Sequence, residues 1–103
     1  IGVQTLHEHP LLEHLPIDIF DVPVKELSSG TVQAYLLALA LLATDRFLIL
    51  DEPLLSLDMQ RQEAFIHLLS KRKGMVIVCH QTQRYDALLD VRCCIEDGVL
   101  RCL

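Results

Sequence analysis

Two apolar runs in this chain end on side chains that can do chemistry. Phe47-Leu48-Ile49-Leu50 stops abruptly at Asp51-Glu52-Pro53, and Met75-Val76-Ile77-Val78-Cys79 stops at His80. Adjacent carboxylates at a strand end divide their labour readily: one holds a hydrated cation, and the other orients or deprotonates a water. That suits phosphoryl chemistry, in which positioning and charge neutralisation supply most of the catalysis. A solvated strand end capping the next helix would use the same two acids, so the pair alone is a weak signal. A third feature adds weight. Leu27-Ser28-Ser29-Gly30 lies about twenty residues before Asp51 and opens an apolar segment; the first-turn N–H groups and positive dipole end of a helix there attract a phosphate.

The elements that must position these groups follow from punctuation and periodicity. Prolines fall at 10, 16, 23 and 53, and three of them break the first quarter, so residues 9–24 read as short helical or loop pieces. Ser28 and Ser29 are good N-cap residues for a helix running to Thr44. Gln33 and Thr44 apart, every position from Thr31 could be core, so this helix reads as buried nearly all round. Phe47–Leu50 reads as a central parallel strand. From Asp58 to Lys73, Met59, Ala64, Phe65, Leu68 and Leu69 recur at helical spacing, Lys71-Arg72-Lys73 close the end, and Gly74 stops it. Met75–Cys79 is a second buried strand, Gln83–Asp90 a short helix, and Val91–Glu96 with Val99–Cys102 a hairpin around Asp97-Gly98. This order predicts a three-layer α/β unit with a largely parallel sheet. In open sheets of that class ligands bind beyond the carboxyl ends of the strands, where Asp51, Glu52 and His80 fall.

Leu27-Ser28-Ser29-Gly30-Thr31-Val32-Gln33, Arg46 through Pro53, Ser56-Leu57-Asp58 and Val76 through His80 occur in that order. The series resembles the ATP-binding-cassette (ABC) ATPase family, whose members carry a signature motif, a Walker B strand with its catalytic glutamate, a D-loop and a switch histidine in the same succession. Asp90-Val91-Arg92 through Glu96-Asp97-Gly98-Val99-Leu100 is similar to the family's final hairpin, so the resemblance runs from about Leu12 to the end. It implies an incomplete P-loop NTPase fold, in which residues 1–26 are a remnant of the helical subdomain or connector and residues 27–103 the C-terminal half of the ATPase domain. It also implies ATP and Mg²⁺, with Asp51 holding the metal through water, Glu52 polarising the attacking water, and His80 contacting the γ-phosphate and that water. Ser28, Ser29 and Gly30 would close over ATP bound to a second cassette stacked head to tail, and Asp58 would lie across that interface. Pro53 ends the strand rigidly and keeps the Glu52 backbone directed into the site. The implied partners are that second cassette, a Walker A-bearing N-terminal half and a membrane permease subunit, with the chain peripheral at the cytoplasmic face.

Several positions depart from the family pattern. Ser29 stands where the signature usually has its second glycine, Thr31 where it often has glutamine, and Ala34 and Leu39 where arginines are usual. No G-x-x-x-x-G-K-[ST] pattern starts at any of the 4 glycines, so the loop that wraps β- and γ-phosphates is absent from these residues and the chain alone is expected to be inactive. Gln4 sits too close to Ser28 to serve as the family's Q-loop glutamine. Coupling of ATP hydrolysis to transmembrane transport is the leading expectation. A chromosome-maintenance or DNA-repair ATPase of the same superfamily, and a non-catalytic cassette that only lends its signature to another subunit, are the alternatives.

Composition narrows the remaining classes. A net charge of −5, with one basic and six acidic residues in 1–45, argues against a nucleic-acid grip, which needs a basic face. With 51% apolar and 22% charged residues, disorder is excluded. The longest apolar run, Ala34 to Ala43, falls well short of the ~18 residues of a membrane span, and residues 1–10 lack the pattern of a secretory signal. The four cysteines, 79, 93, 94 and 102, show no C-x-x-C or secreted spacing, which points to a reducing compartment. Adjacent Cys93 and Cys94 should face opposite sides of a strand, one core and one outer. His7, His9 and His14 read as solvated loop residues, and Tyr35 and Phe65 as packing groups.

Overall fold

The computed structural model describes residues 5, 6, 8–13 and 22–103. Gln4, His7, His14 and half of the predicted N-terminal remnant lie outside them. Ser28 starts the first long helix, α1 (Ser29–Ala43): its Oγ accepts the Thr31 N–H at 3.1 Å while its hydroxyl donates to Thr31 Oγ1 at 2.9 Å. This satisfies one of the first-turn donors that a helix leaves unpaired. Burial follows a stripe. Ala34, Leu37 and Ala38 are enclosed, whereas Leu36 and Leu39 face solvent. The expected burial on every side is therefore corrected: an apolar sequence provides for cover, but the described residues cover one face only.

Strand β1 (Leu48–Asp51) pairs in parallel with β2 (Met75–Val78), from Leu48 opposite Met75 to Asp51 opposite Val78. The intervening crossover carries α2 (Met59–Leu69). Leu48 and Leu50 join Phe65 and Leu69 of α2 and the buried stripe of α1 in one core, which Leu11, Leu12, Leu57 and Tyr85 complete. Period-two alternation sends Ile49, Val76 and Val78 to the opposite side, where Ile49 is 74% and Val78 53% exposed. Both strands were expected to be covered on two faces; among the described residues the sheet has two strands and one covered face. Of the predicted three layers, the sheet and the helices against one side of it are present.

Asp58 caps α2, its Oδ1 accepting the Arg61 N–H at 2.8 Å and its Oδ2 pairing with Arg61 Nη1 at 2.6 Å. The helix stops at Leu69, short of the predicted Lys73. Consequently Arg72 is not a last-turn cation of its own helix. Its guanidinium reaches across to donate to the carbonyls of Leu41, Thr44 and Arg46, tying down the end of α1. Gly74, at φ +78°, makes the turn into β2, and the Phe47 ring lies 3.2 Å from where a Cβ would stand.

Beyond β2 the predicted helix over Gln83–Asp90 is replaced by a 3₁₀ turn, Gln83–Tyr85, whose Tyr85 inserts into the core. A short helix is marginal in water, and Tyr85, with Leu88 and Leu89 packed on the core, holds this segment instead. The chain ends in an antiparallel hairpin, β3 (Cys93–Glu96) and β4 (Val99–Cys102). Asp97 and Gly98 have φ of 51° and 76°, the pair of positive values that a two-residue type I′ turn requires. Nearly every hairpin side chain is exposed, including Ile95 and Leu100, so neither Cys93 nor Cys94 is a core residue as one of them was expected to be. The radius of gyration is 15.1 Å, against about 13 Å for a compact chain of this length.

Candidate active site

The parallel register sets Asp51 beside Val78, so the residues that follow leave the sheet together. Glu52 extends the ladder by one bond, its N–H donating to the Val78 carbonyl at 2.7 Å. Its side chain then returns across the strand ends. Oε1 accepts the His80 backbone N–H at 2.9 Å and lies 3.6 Å from His80 Nε2. The imidazole itself is 98% exposed, so the backbone fixes Glu52 while the ring is left to reach a ligand.

Glu52 carries a φ of 46°, a left-handed conformation that costs a non-glycine residue about 1–3 kcal/mol and persists only where its surroundings enforce it. Those surroundings are visible. Pro53 is buried and blocks the ordinary helical conformation before it, its carbonyl accepts Gln33 Nε2 of α1 at 3.1 Å, and the Leu55 N–H donates back to the Glu52 carbonyl at 3.1 Å. Gly30 touches the same turn: a Cβ there would stand 2.5 Å from the Ser56 carbonyl oxygen. The first turn of α1 therefore presses against the segment that follows β1, and only glycine allows that approach.

An open cleft of about 360 Å³ results, lined by Ser29, Val32, Gln33, Asp51, Glu52, Leu55 and Ser56. The fold thus gathers Ser29, Asp51 and Glu52 on one cleft, with Gly30 at its wall through Ser56 and His80 joined through Glu52. Two other candidates stand apart. Ser28 uses its hydroxyl to cap α1, and Asp58 caps α2, where the Arg61 N–H and guanidinium hold its carboxyl below the usual range. Burial and the Glu52 charge push the Cys79 thiol up. Burial, reinforced by Cys79 and Glu52, pushes Tyr85 up to about 12. Among the described residues no three His, Cys, Asp or Glu side chains form a metal cluster. Asp51 and Glu52 offer hard oxygens of the kind Mg²⁺ uses when it keeps most of its waters.

Gln33 was not singled out as functional from sequence, although a lone amide in an otherwise apolar helix was the available signal. The Gly30 to Ser56 approach had no local signal, because it joins residues 26 positions apart.

Parallel strands joined by a helical crossover, with a carboxylate and a histidine meeting at their ends, place these groups where open α/β sheets bind ligands. The family described as "AAA domain, putative AbiEii toxin, Type IV TA system" matches residues 6–78. The chain belongs to this family of P-loop ATPases and, within it, to the ATP-binding-cassette type. It is 34% identical over 82 residues to the zinc import ATP-binding protein ZnuC of Hydrogenovibrio crunogenus, covering 74% of this chain and 32% of that protein. It is 36% identical over 94 residues to the Nod factor export ATP-binding protein I of Sinorhizobium fredii, covering 86% of this chain and 27% of the relative. Over 99 residues it is 28% identical to ABC transporter A family member 7 of Dictyostelium discoideum, covering 92% and 12% respectively. The chain therefore spans about a third or less of the relatives it matches.

Proposed function

We propose that residues 27–103 form the C-terminal half of an ABC ATPase domain that couples ATP hydrolysis to transport across a membrane, with residues 1–26 left from its helical subdomain. The bond from the His80 N–H to Glu52 Oε1 carries the proposal, because it joins the ends of both parallel strands at one carboxylate. The transport role is supported by relatives named for zinc import and Nod factor export. A peripheral position beside a permease, at the cytoplasmic face, accords with that role. No helix among the described residues is long and apolar enough to cross a membrane.

In this proposal Asp51 would hold Mg²⁺, which would supply neutralisation of phosphate charge when bound. Glu52, fixed by His80, orients the attacking water and draws its proton. The exposed His80 ring donates to the γ-phosphate. Ser28, Ser29 and Gly30 present the start of α1 to ATP held by a second cassette stacked head to tail, and Asp58 lies at that contact. The phosphate-wrapping loop comes from a Walker A-bearing half, against which the open face at Ile49, Val76 and Val78 would be covered.

The proposal is tested by Mg-dependent ATP hydrolysis in the protein that contains both halves. Glu52→Gln should lower turnover by about 10²-fold or more; undiminished turnover contradicts the role given to Glu52. The present 103 residues should show no Mg-ATP binding in equilibrium titration, and tight binding would contradict the need for the other half.

A further inference from the structure

The hairpin carries two cysteines that the ATPase site does not use. Cys93 and Cys102 are direct cross-strand partners, both exposed, with their Sγ atoms 2.8 Å apart. Their pairing class follows from the ladder. The Leu103 N–H donates to the Arg92 carbonyl at 2.7 Å, which marks 92 and 103 as a hydrogen-bonded pair and leaves 93 and 102 as the adjacent non-hydrogen-bonded one. At such pairs the Cα atoms approach to about 4.5 Å and the side chains lie close on one face. That separation falls within the roughly 4.4–6.8 Å span that a disulfide bridges. Cys94 points to the other face, where its Sγ contacts Glu96 Oε1 at 3.7 Å, and Cys79 lies on the segment after β2.

We propose that Cys93 and Cys102 form a thiol–disulfide exchange site, oxidised to a cross-strand disulfide by low-molecular-weight disulfides such as oxidised glutathione. One thiolate of the pair attacks a sulfur of the small disulfide, forming a mixed disulfide and releasing one small thiolate. The partner thiol then loses its proton and attacks the protein-side sulfur, closing the Sγ–Sγ bond and expelling the second small thiolate. Two protein thiols are oxidised and one small disulfide is reduced to two thiols. The bridge staples an element that has little else to hold it. Its side chains are almost all exposed, a two-stranded hairpin is marginal by itself, and a direct tie to the preceding segment is the Arg92 to Asp86 ion pair.

The test equilibrates the 103-residue chain with graded ratios of reduced to oxidised glutathione, quenches with acid, labels free thiols with maleimide and maps the peptides by mass. A bridge between Cys93 and Cys102, loss of two hydrogens and labelling confined to Cys79 and Cys94 are the expected results. Cys94→Ser should keep the bridge; Cys93→Ser or Cys102→Ser should leave a glutathione adduct on the surviving thiol. Because the folded hairpin sets the geometry, the equilibrium constant for bridging should be about tenfold or more larger in native buffer than in concentrated urea. Amide exchange in β3 and β4 should slow by about tenfold or more on oxidation. A bridge through Cys94 or Cys79, a bridge between two chains, stable glutathione adducts on both thiols, or equal constants with and without urea would each overturn the proposal.

Discussion

The parallel pair β1–β2 and the hairpin β3–β4 use strands of the same length and are held by different forces. Leu48 and Leu50 of the parallel pair are buried against Phe65 and Leu69, so that order there comes from apolar cover supplied by distant parts of the chain. In the hairpin, Ile95 and Leu100 lie opposite one another in solvent, and order comes from the turn at Asp97-Gly98 and the adjoining ladder. The contrast also locates the proposed chemistry. Strained Glu52 follows the strand packed on the core, where buried Pro53, the Gln33 amide and the Leu55 N–H hold it in place. A displacement of the core should therefore reach the site, and a displacement of the hairpin should not.

Substitutions in each region would break or sharpen that contrast. Phe65 is fully enclosed, and Phe65→Ala should cost about 3–5 kcal/mol in a urea melt, while Leu100→Ala on the hairpin should stay within about 0.5 kcal/mol. Comparable losses from both would mean that the hairpin is packed against something else. Gly30→Ala places a methyl against the Ser56 carbonyl and should cost about 1–3 kcal/mol. Chemical-shift changes should concentrate in residues 52–57 and spare 93–102.

The smallest effect concerns pH. His9 is buried, its Nδ1 accepts the Leu11 N–H at 3.2 Å, and burial lowers its pKa from 6.5. As pH falls below about 6.5 the unfolded chain takes up a proton that the folded chain resists, so stability declines through the lowered folded-state value. His9→Gln should flatten that part of the stability profile. A profile identical to the parent would show that His9 charges freely in the fold.

That Asp51, Glu52 and His80 fall at the ends of strands was legible in sequence because they close apolar runs, and a strand end needs only local pattern to be recognised. The Asp97-Gly98 turn was legible for the same reason, its two residues being those that tolerate positive φ. What covers an apolar surface was not legible. The run from Ala34 to Ala43 promised burial all round, yet periodicity records only that a face is apolar, and the neighbour lies elsewhere in the chain. His9 was expected in solvent because prolines break its segment; it is buried and its ring accepts the Leu11 N–H, an arrangement that composition does not encode. The reach of Arg72 to the end of α1 was hidden likewise, since three cations after a helix suit its dipole without any tertiary contact. At the candidate site, the placement of the acid pair and the histidine at neighbouring strand ends was readable, and the left-handed Glu52 backbone that aims the carboxylate was not.

The joint action of Glu52 and His80 is tested most directly by a double-mutant cycle on Mg-dependent turnover in the protein containing both cassette halves. Glu52→Gln and His80→Ala should each lower turnover by about 10²-fold or more, and the double variant should fall little further, because in the proposed site the two side chains serve one water and one phosphate. Losses that multiply, or either single variant turning over at the parental rate, would contradict the assignment of Glu52 and His80 to one catalytic unit.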